Sequence, residues 1–212
     1  MSNPVNPSRE RILSRIENAL GGRRPTANEI AKRPVFPPVG NLLERFVAEC
    51  KGNLTDCFLV ENNTREKLQE LLRDLPTGPI FAEDSPRIRA ALSGFNGSRR
   101  WSSDGPPFES TQATITGAHL LIAQTGSLLV SSSCGGRGAS VVAPVHIVVA
   151  GLSQIVTDLD EALAITYKEQ LARSNSFLGV ITGCSRTGDI EKLLVIGAHG
   201  PKRLVVIVDK NR

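Results

Sequence analysis

NLLERFVAECKGNLTDCFLVENNTREKLQELLRDLPTGPIFAEDSPRIRA, residues 41–90, is the stretch on which the fold turns. Apolar residues recur at helical spacing over 42–51, and a strand-like apolar run follows at 56–60. Helical spacing returns over 64–73, and a second short apolar run covers 79–82. Ser85 then precedes Pro86; proline at a first helical position loses no hydrogen bond and presets its own dihedral, so another helix begins there. Strand and helix alternate, which predicts a largely parallel sheet covered by helices.

Downstream the pattern changes. Residues 113–123 and 127–132 are two β-rich runs separated by Gln124-Thr125-Gly126, the composition of a tight turn. Strand signals recur at 145–149, 178–182 and 204–208, and Leu159, Leu163, Tyr167 and Leu171 give helical spacing over 158–172. Upstream, Ser8 followed by Ile12, Leu13, Ile16 and Leu20 reads as a capped amphipathic helix stopped by Gly21 and Gly22. Pro25, Pro34, Pro37 and Pro38 then make an extended linker, so the chain divides into an N-terminal helix and linker, residues 1–40, and one main domain, residues 41–212. No internal repeat is present.

Composition narrows the class. A chain of 212 residues with 40% hydrophobic content buries one substantial core. No run of eighteen apolar residues occurs, and charges stand where a signal peptide needs its apolar region, so a soluble, cytoplasmic protein with no membrane insertion is expected. Cys50, Cys57, Cys134 and Cys184 form no C-x-x-C pair, which leaves neither a disulfide framework nor an iron–sulfur ligand set. The formal charge of +4 resides entirely in residues 1–40, and the remainder is balanced. With aromatics at 4% and no basic stripe among the strands, a nucleic-acid partner is not expected.

Three strings carry a specific likeness: TITGAHLLIAQTGSLLV at 114–130, GGRGASVVAPVHIVVAGLSQIV at 135–156, and ITGCSRTGDIEKLLVIGAHGPKRLVVIVD at 181–209. They resemble the LUD-domain family, named for lactate utilisation. The most specific elements are Ser185, Arg186, Thr187, Asp189, Ile190 and Glu191, then Gly197, His199, Gly200 and Pro201. The N-terminal helix and proline-rich linker are similar to the short C-type members, which lack the ferredoxin-like cysteine segment of the B-type subunit. The resemblance implies an α/β three-layer fold with a mixed, largely parallel sheet, similar to the ribose-phosphate isomerase, glucosamine-phosphate deaminase and CoA-transferase group. It also implies work alongside iron–sulfur subunits that oxidise L-lactate to pyruvate.

Candidate site residues lie in the same half. Ser185, Arg186, Thr187 and Asp189 follow a strand and precede a segment with helical spacing through Leu194. Thr187 can cap that helix while free amides and the Arg186 fork receive a small carboxylate or phosphate. The alternative is a plain helix cap with an Arg186–Asp189 surface pair. In the turn, relatives often carry a carboxylate where Gln124 stands, and glutamine cannot form the acyl-enzyme of a CoA transferase, so Gln124, Thr125 and Gly126 are read as binding groups or as a satisfied hairpin turn. Gly135-Gly136-Arg137-Gly138 lacks phosphate-loop spacing, yet Arg137 is a second anion-binding candidate. His199, in a glycine-flanked loop, is the candidate for proton transfer or substrate contact, whereas His119 and His146 read as satisfied sheet residues. No histidine pair has metal-ligand spacing, so no metal is expected.

Two classes of function remain open. In the first, the chain is a non-redox subunit assisting lactate oxidation and carries no cofactor, since no motif supplies a hydride or electron carrier. In the second it is an enzyme in its own right, acting on a phosphorylated or acyl-CoA metabolite, and a carboxylate-sensing protein is a third possibility.

Overall fold

The computed structural model describes residues 7–21, 37–107, 109–190 and 193–211, and the chain divides into two compact units, Met1–Pro37 and Pro38–Arg212. In the first unit α1 spans Pro7–Leu20, and its stripe of Ile12, Leu13, Ile16 and Leu20 is exposed. Among the described residues no helix is long and apolar enough to cross a membrane.

The second unit begins with α2 (Leu42–Gly52), started by the Asn41 carboxamide, which accepts hydrogen bonds from the Leu43 and Glu44 amides at 3.1 and 3.2 Å. Next come β1 (Thr55–Val60), α3 (Thr64–Arg73), β2 (Ile80–Ala82), α4 (Pro86–Ala91) with Pro86 in its first turn, and a short β3 (Arg99–Trp101). Then follow β4 (Ala113–Thr116), β5 (Leu120–Ile122), β6 (Ser127–Ser131), β7 (Val145–Gly151) and β8 (Ile155–Val156). The chain continues through α5 (Leu159–Lys168), α6 (Leu171–Ser174), β9 (Leu178–Ile181), β10 (Arg186–Ile190), β11 (Leu193–Ile196) and β12 (Arg203–Asp209).

The expected parallel sheet is present. Six strands in the order β1-β12-β7-β4-β2-β3 pair in parallel throughout. Its middle strands β7 and β12 are buried along nearly their whole length, which explains why VHIVVAG and RLVVIVD read as near-continuous apolar runs. One face, with Ile115, Ile147, Val205 and Ile207, packs on Leu68 and Leu71 of α3 and Ile88 and Ala91 of α4. The other, with Val148, Leu204, Val206 and Val208, packs on Phe46 and Cys50 of α2 and on Leu121, Leu128 and Val130 of a second sheet, β8-β5-β6-β9. Each such fully buried aliphatic side chain contributes about 1.5–3 kcal/mol.

Three expectations change. The single run 113–123 is two strands, because the chain leaves the parallel sheet at Gly117 and re-enters extended structure as β5 of the second sheet. The helix over 158–172 breaks at Gln170, whose φ of 55° is left-handed. The helix expected to begin near Thr187 is instead β10, paired antiparallel with β11 in a hairpin, Thr187 facing Val195 and Arg186 facing Ile196. Ile190, Leu193 and Leu194 do fall at helical spacing, but Gly188 disfavours a helix interior and the β-branched Thr187, Val195 and Ile196 suit extended backbone, which the two strands pair across the hairpin.

Candidate functional site

The topology singles out one edge of the parallel sheet. From β2 the chain turns to α4 on one face, whereas from the neighbouring β4 it turns to β5 and β6 on the other. Connections that diverge from adjacent parallel strands open a crevice at the carboxyl ends, where open α/β sheets bind ligands. Glu83 directly follows β2 and Gly117 directly follows β4, and the Gly117 amide donates to Glu83 Oε2 at 2.7 Å across that gap.

His119 stands two residues further on. Its Nε2 lies 2.8 Å from Ser131 Oγ and 3.3 Å from Ser133 Oγ. Ser131, at the carboxyl end of β6, is buried; its hydroxyl lies 2.8 Å from that of Ser133 and donates to Asn175 Oδ1 at 2.9 Å. Asn175 Oδ1 also accepts from Ser132 Oγ and the Ser133 amide, so one carboxamide fixes the whole serine loop. Burial lowers the His119 pKa, with the Glu83 and Glu169 charges opposing it, which favours the neutral ring. Burial raises the neighbouring Cys134 thiol, which keeps it protonated.

Gln154, in the turn after β7, ties this group to the rest of the edge. Its amide nitrogen donates to the Ala118 and His119 carbonyls, and its oxygen accepts from the Gly151 amide and from Arg87 of α4. Arg87 in turn lines a cavity of about 190 Å³ with Asn62, Thr64, Arg65, Glu66 and Asp209. Asp209, at the carboxyl end of β12, is buried and organises this wall: Thr64 Oγ1 donates to it at 3.0 Å, and the Asn62 and Asn211 amides donate at 3.3 and 3.1 Å. Arg65 is paired with Glu66 at 2.9 Å, so Arg87 is the guanidinium on this wall that can receive a carboxylate, and a neutral imidazole among hydroxyls can move a proton.

The residues singled out from sequence fall mostly elsewhere. Gln124, Thr125 and Gly126 form the β5–β6 turn at the opposite end of β6, beside Asn53, whose Nδ2 donates to the Thr125 carbonyl at 2.8 Å. Gly183 presses on Asn53 with φ +77°, and a Cβ there would stand 2.4 Å from the Asn53 carbonyl oxygen and 3.2 Å from Arg186 Nη2. A hydroxyl chain from Thr125 through Ser127 to Thr182 closes the group at 2.7 Å per link. Ser185 exchanges backbone hydrogen bonds with Pro201 and Gly197, which puts the exposed His199 in the adjoining loop. Asn53 precedes β1 and Pro201 precedes β12, so Thr125, Ser185, Arg186 and His199 gather at the amino edge of the sheet. Thr187 and Asp189 lie in the hairpin, with no helix N-terminus to offer amides; the Asp189 side chain and Glu191 are outside the described residues. Arg137 lies instead toward the carboxyl-edge group, donating to Ser176 beside Asn175.

Glu83, Arg87, His119, Ser131, Ser133, Gln154 and Asn175 were not singled out by sequence. Glu83 carried a legible signal, a carboxylate immediately after a strand of a βα unit. His119 did not, because its role depends on the break at Gly117 that sends the chain into the second sheet. His146 is a buried sheet residue as expected, but only half satisfied: Nε2 lies 2.9 Å from Thr116 Oγ1 while Nδ1 has no partner. Among the described residues no group of three or more His, Cys, Asp or Glu side chains is placed to hold a metal ion.

Residues 106–208 match the family described as LUD domain, a span that includes His119, Ser131, Ser133, Gln154 and Asn175. The chain is 27% identical to the lactate utilization protein C of Geobacillus sp. (strain WCH70) and 24% identical to that of Bacillus subtilis (strain 168), in each case over 97% of both chains. It is 36% identical to an uncharacterized protein of Neisseria meningitidis serogroup B, over 94% of this chain and 92% of that one. The crystal structure of a DUF162 family protein from Deinococcus radiodurans aligns with a TM-score of 0.59 at 19% identity, covering 79% of this chain and 95% of that chain, a likeness of fold.

Proposed function

The chain belongs to the LUD-domain family, and from that membership we propose that it takes part in lactate utilization, as a non-redox companion of iron–sulfur subunits that oxidise L-lactate to pyruvate. In this reading the carboxyl edge holds the small acid. The observation that carries it is the divergence of the chain after β2 and β4, where Glu83 accepts from the Gly117 amide and Arg87, bonded to Gln154, lines a cavity of about 190 Å³. Arg87 receives the carboxylate, and His119 takes part in proton transfer within reach of the Ser133 hydroxyl. Support for the pathway comes from relatives bearing the lactate utilization name along nearly their whole length.

Deleting the gene while leaving its neighbours intact tests the pathway, with growth on L-lactate as the readout. Growth is expected to fail and to return with the wild-type chain but only weakly with Arg87→Ala. Undiminished growth of the deletion strain overturns the proposal. Affinity capture from lactate-grown cells at low salt, where weak charged contacts survive best, is expected to recover the iron–sulfur subunits. The pairing of His119 with Ser133 favours a second reading, in which the isolated chain turns over a phosphorylated or acyl-CoA metabolite. Turnover by the purified protein alone, abolished in His119→Gln, distinguishes it from the first.

A further inference from the structure

We propose that Cys50 and Cys57 form a dithiol that hydroperoxides oxidise to a reversible disulfide, a modification site apart from the carboxyl edge. Cys57 is the third residue of β1 and pairs with Val206, so it points to the same sheet face as Val206 and toward α2, on whose last turn Cys50 sits. Cys57 packs against the same buried cluster that holds Cys50. Cys50 is fully buried and also faces the Gly126 carbonyl at 3.9 Å, whereas Cys57 is partly exposed. Access comes from a cavity of about 470 Å³ that Cys57 lines together with Val47, Lys51, Leu54 and Phe58.

The asymmetry sets the order of events. The neighbouring Cys50 thiol holds Cys57 below the ordinary thiol range, against the opposing effect of burial, while Cys50 itself is pushed up by Cys57 and by burial. Cys57 is thus the better nucleophile and the accessible one. Its sulfur attacks the distal peroxide oxygen; the O–O bond breaks, an alcohol or water leaves with the thiol proton, and Cys57 becomes a sulfenic acid. The Cys50 sulfur then attacks Cys57; the S–O bond breaks, water leaves with the Cys50 proton, and the disulfide closes. Two electrons pass from the thiol pair to the peroxide. Cys134 provides an internal control, being buried and hydrogen-bonded to Ser131 and Ser133 rather than to another thiol.

The test treats the reduced full-length protein with hydrogen peroxide in one arm and cumene hydroperoxide in the other. Two of the four thiols are expected to disappear and to return on addition of dithiothreitol. Trypsin cleaves after Lys51, between the two cysteines, so peptides 46–51 and 52–65 should remain joined by a reducible bond. Cys50→Ser should stop at a Cys57 sulfenic acid captured by dimedone, and Cys57→Ser should leave Cys50 unreacted. Faster reaction in the cumene arm would assign the cavity to organic hydroperoxides; faster reaction in the other would assign it to hydrogen peroxide. A bridge containing Cys134 or Cys184, or four unreacted thiols at doses that oxidise free cysteine, overturns the proposal.

Discussion

His146 shows how one side chain couples the sheet to pH. It is fully enclosed between β4 and β12, and burial pushes its pKa down to about 4 from an unfolded value near 6.5. Between those two values the unfolded chain binds a proton that the folded chain refuses. Stability is therefore fully present above about pH 6.5 and falls as pH drops toward 4, by on the order of 3 kcal/mol. Urea denaturation at pH 7 and pH 5 should register this loss in the wild type and a much smaller one in His146→Leu. Because His146 Nδ1 has no partner, the leucine variant should also be at least as stable as wild type at pH 7. An equal acid loss in both proteins would shift responsibility to other groups. Glu83 gives a second residue-scale expectation. Glu83→Ala leaves the Gly117 amide without its acceptor and should cost about 1–3 kcal/mol, whereas Glu83→Gln retains an oxygen there and should cost less. On the proposed function, both should impair growth on lactate, so the pair separates support of the crevice from its chemistry.

At the scale of elements, what was legible is what local chemistry decides. The helix over 42–51, Pro86 in the first turn of α4 and the apolar runs of β7 and β12 were readable because each rests on neighbours in sequence. The 186–196 hairpin was not, because Ile190, Leu193 and Leu194 have helical spacing and the outcome depends on β10 and β11 pairing with each other. The carboxyl-edge group was hidden for a related reason: Glu83 and Gly117 are brought together by strand order, which spacing does not encode. The Gln124-Thr125-Gly126 turn was read correctly as a turn, and Gly126 shows how strictly it is specified. Its φ is +61°, and a Cβ would lie 2.7 Å from the Cys50 amide nitrogen. Gly126→Ala should then cost about 2–4 kcal/mol, combining left-handed strain with overpacking against α2, measurable as a lower urea midpoint at unchanged slope. Arg186→Ala tests the hairpin reading. With no helix N-terminus beside it, the substitution should leave the affinity for lactate and pyruvate unchanged in calorimetry, while Arg87→Ala weakens it. The reverse result would return the ligand to the amino edge.

Taken as a whole, the molecule separates its charge from its core. Every described residue of the three apolar clusters lies at Val39 or beyond, whereas the whole formal excess of +4 lies before it. Among the described residues the apolar clusters thus lie within the unit Pro38–Arg212, whose acidic and basic residues balance. A chain that starts at Pro38 should consequently fold unaided, with a melting temperature within about 2 °C of the full protein, equivalent to less than roughly 1 kcal/mol. Its colloidal behaviour should differ far more. Removing the basic segment takes the net charge to zero near neutral pH, where self-repulsion vanishes and solubility falls. Differential scanning calorimetry and a solubility titration from pH 6 to 9 separate the two effects. The full chain should stay soluble through neutrality and retain weak, salt-sensitive binding to heparin, while the shortened chain should reach its solubility minimum near pH 7 and pass through heparin unretained. A large drop in melting temperature on truncation would instead mean that the first unit contributes to the stability of the second, and that the division of labour between charge and core is not the one the sequence distribution implies.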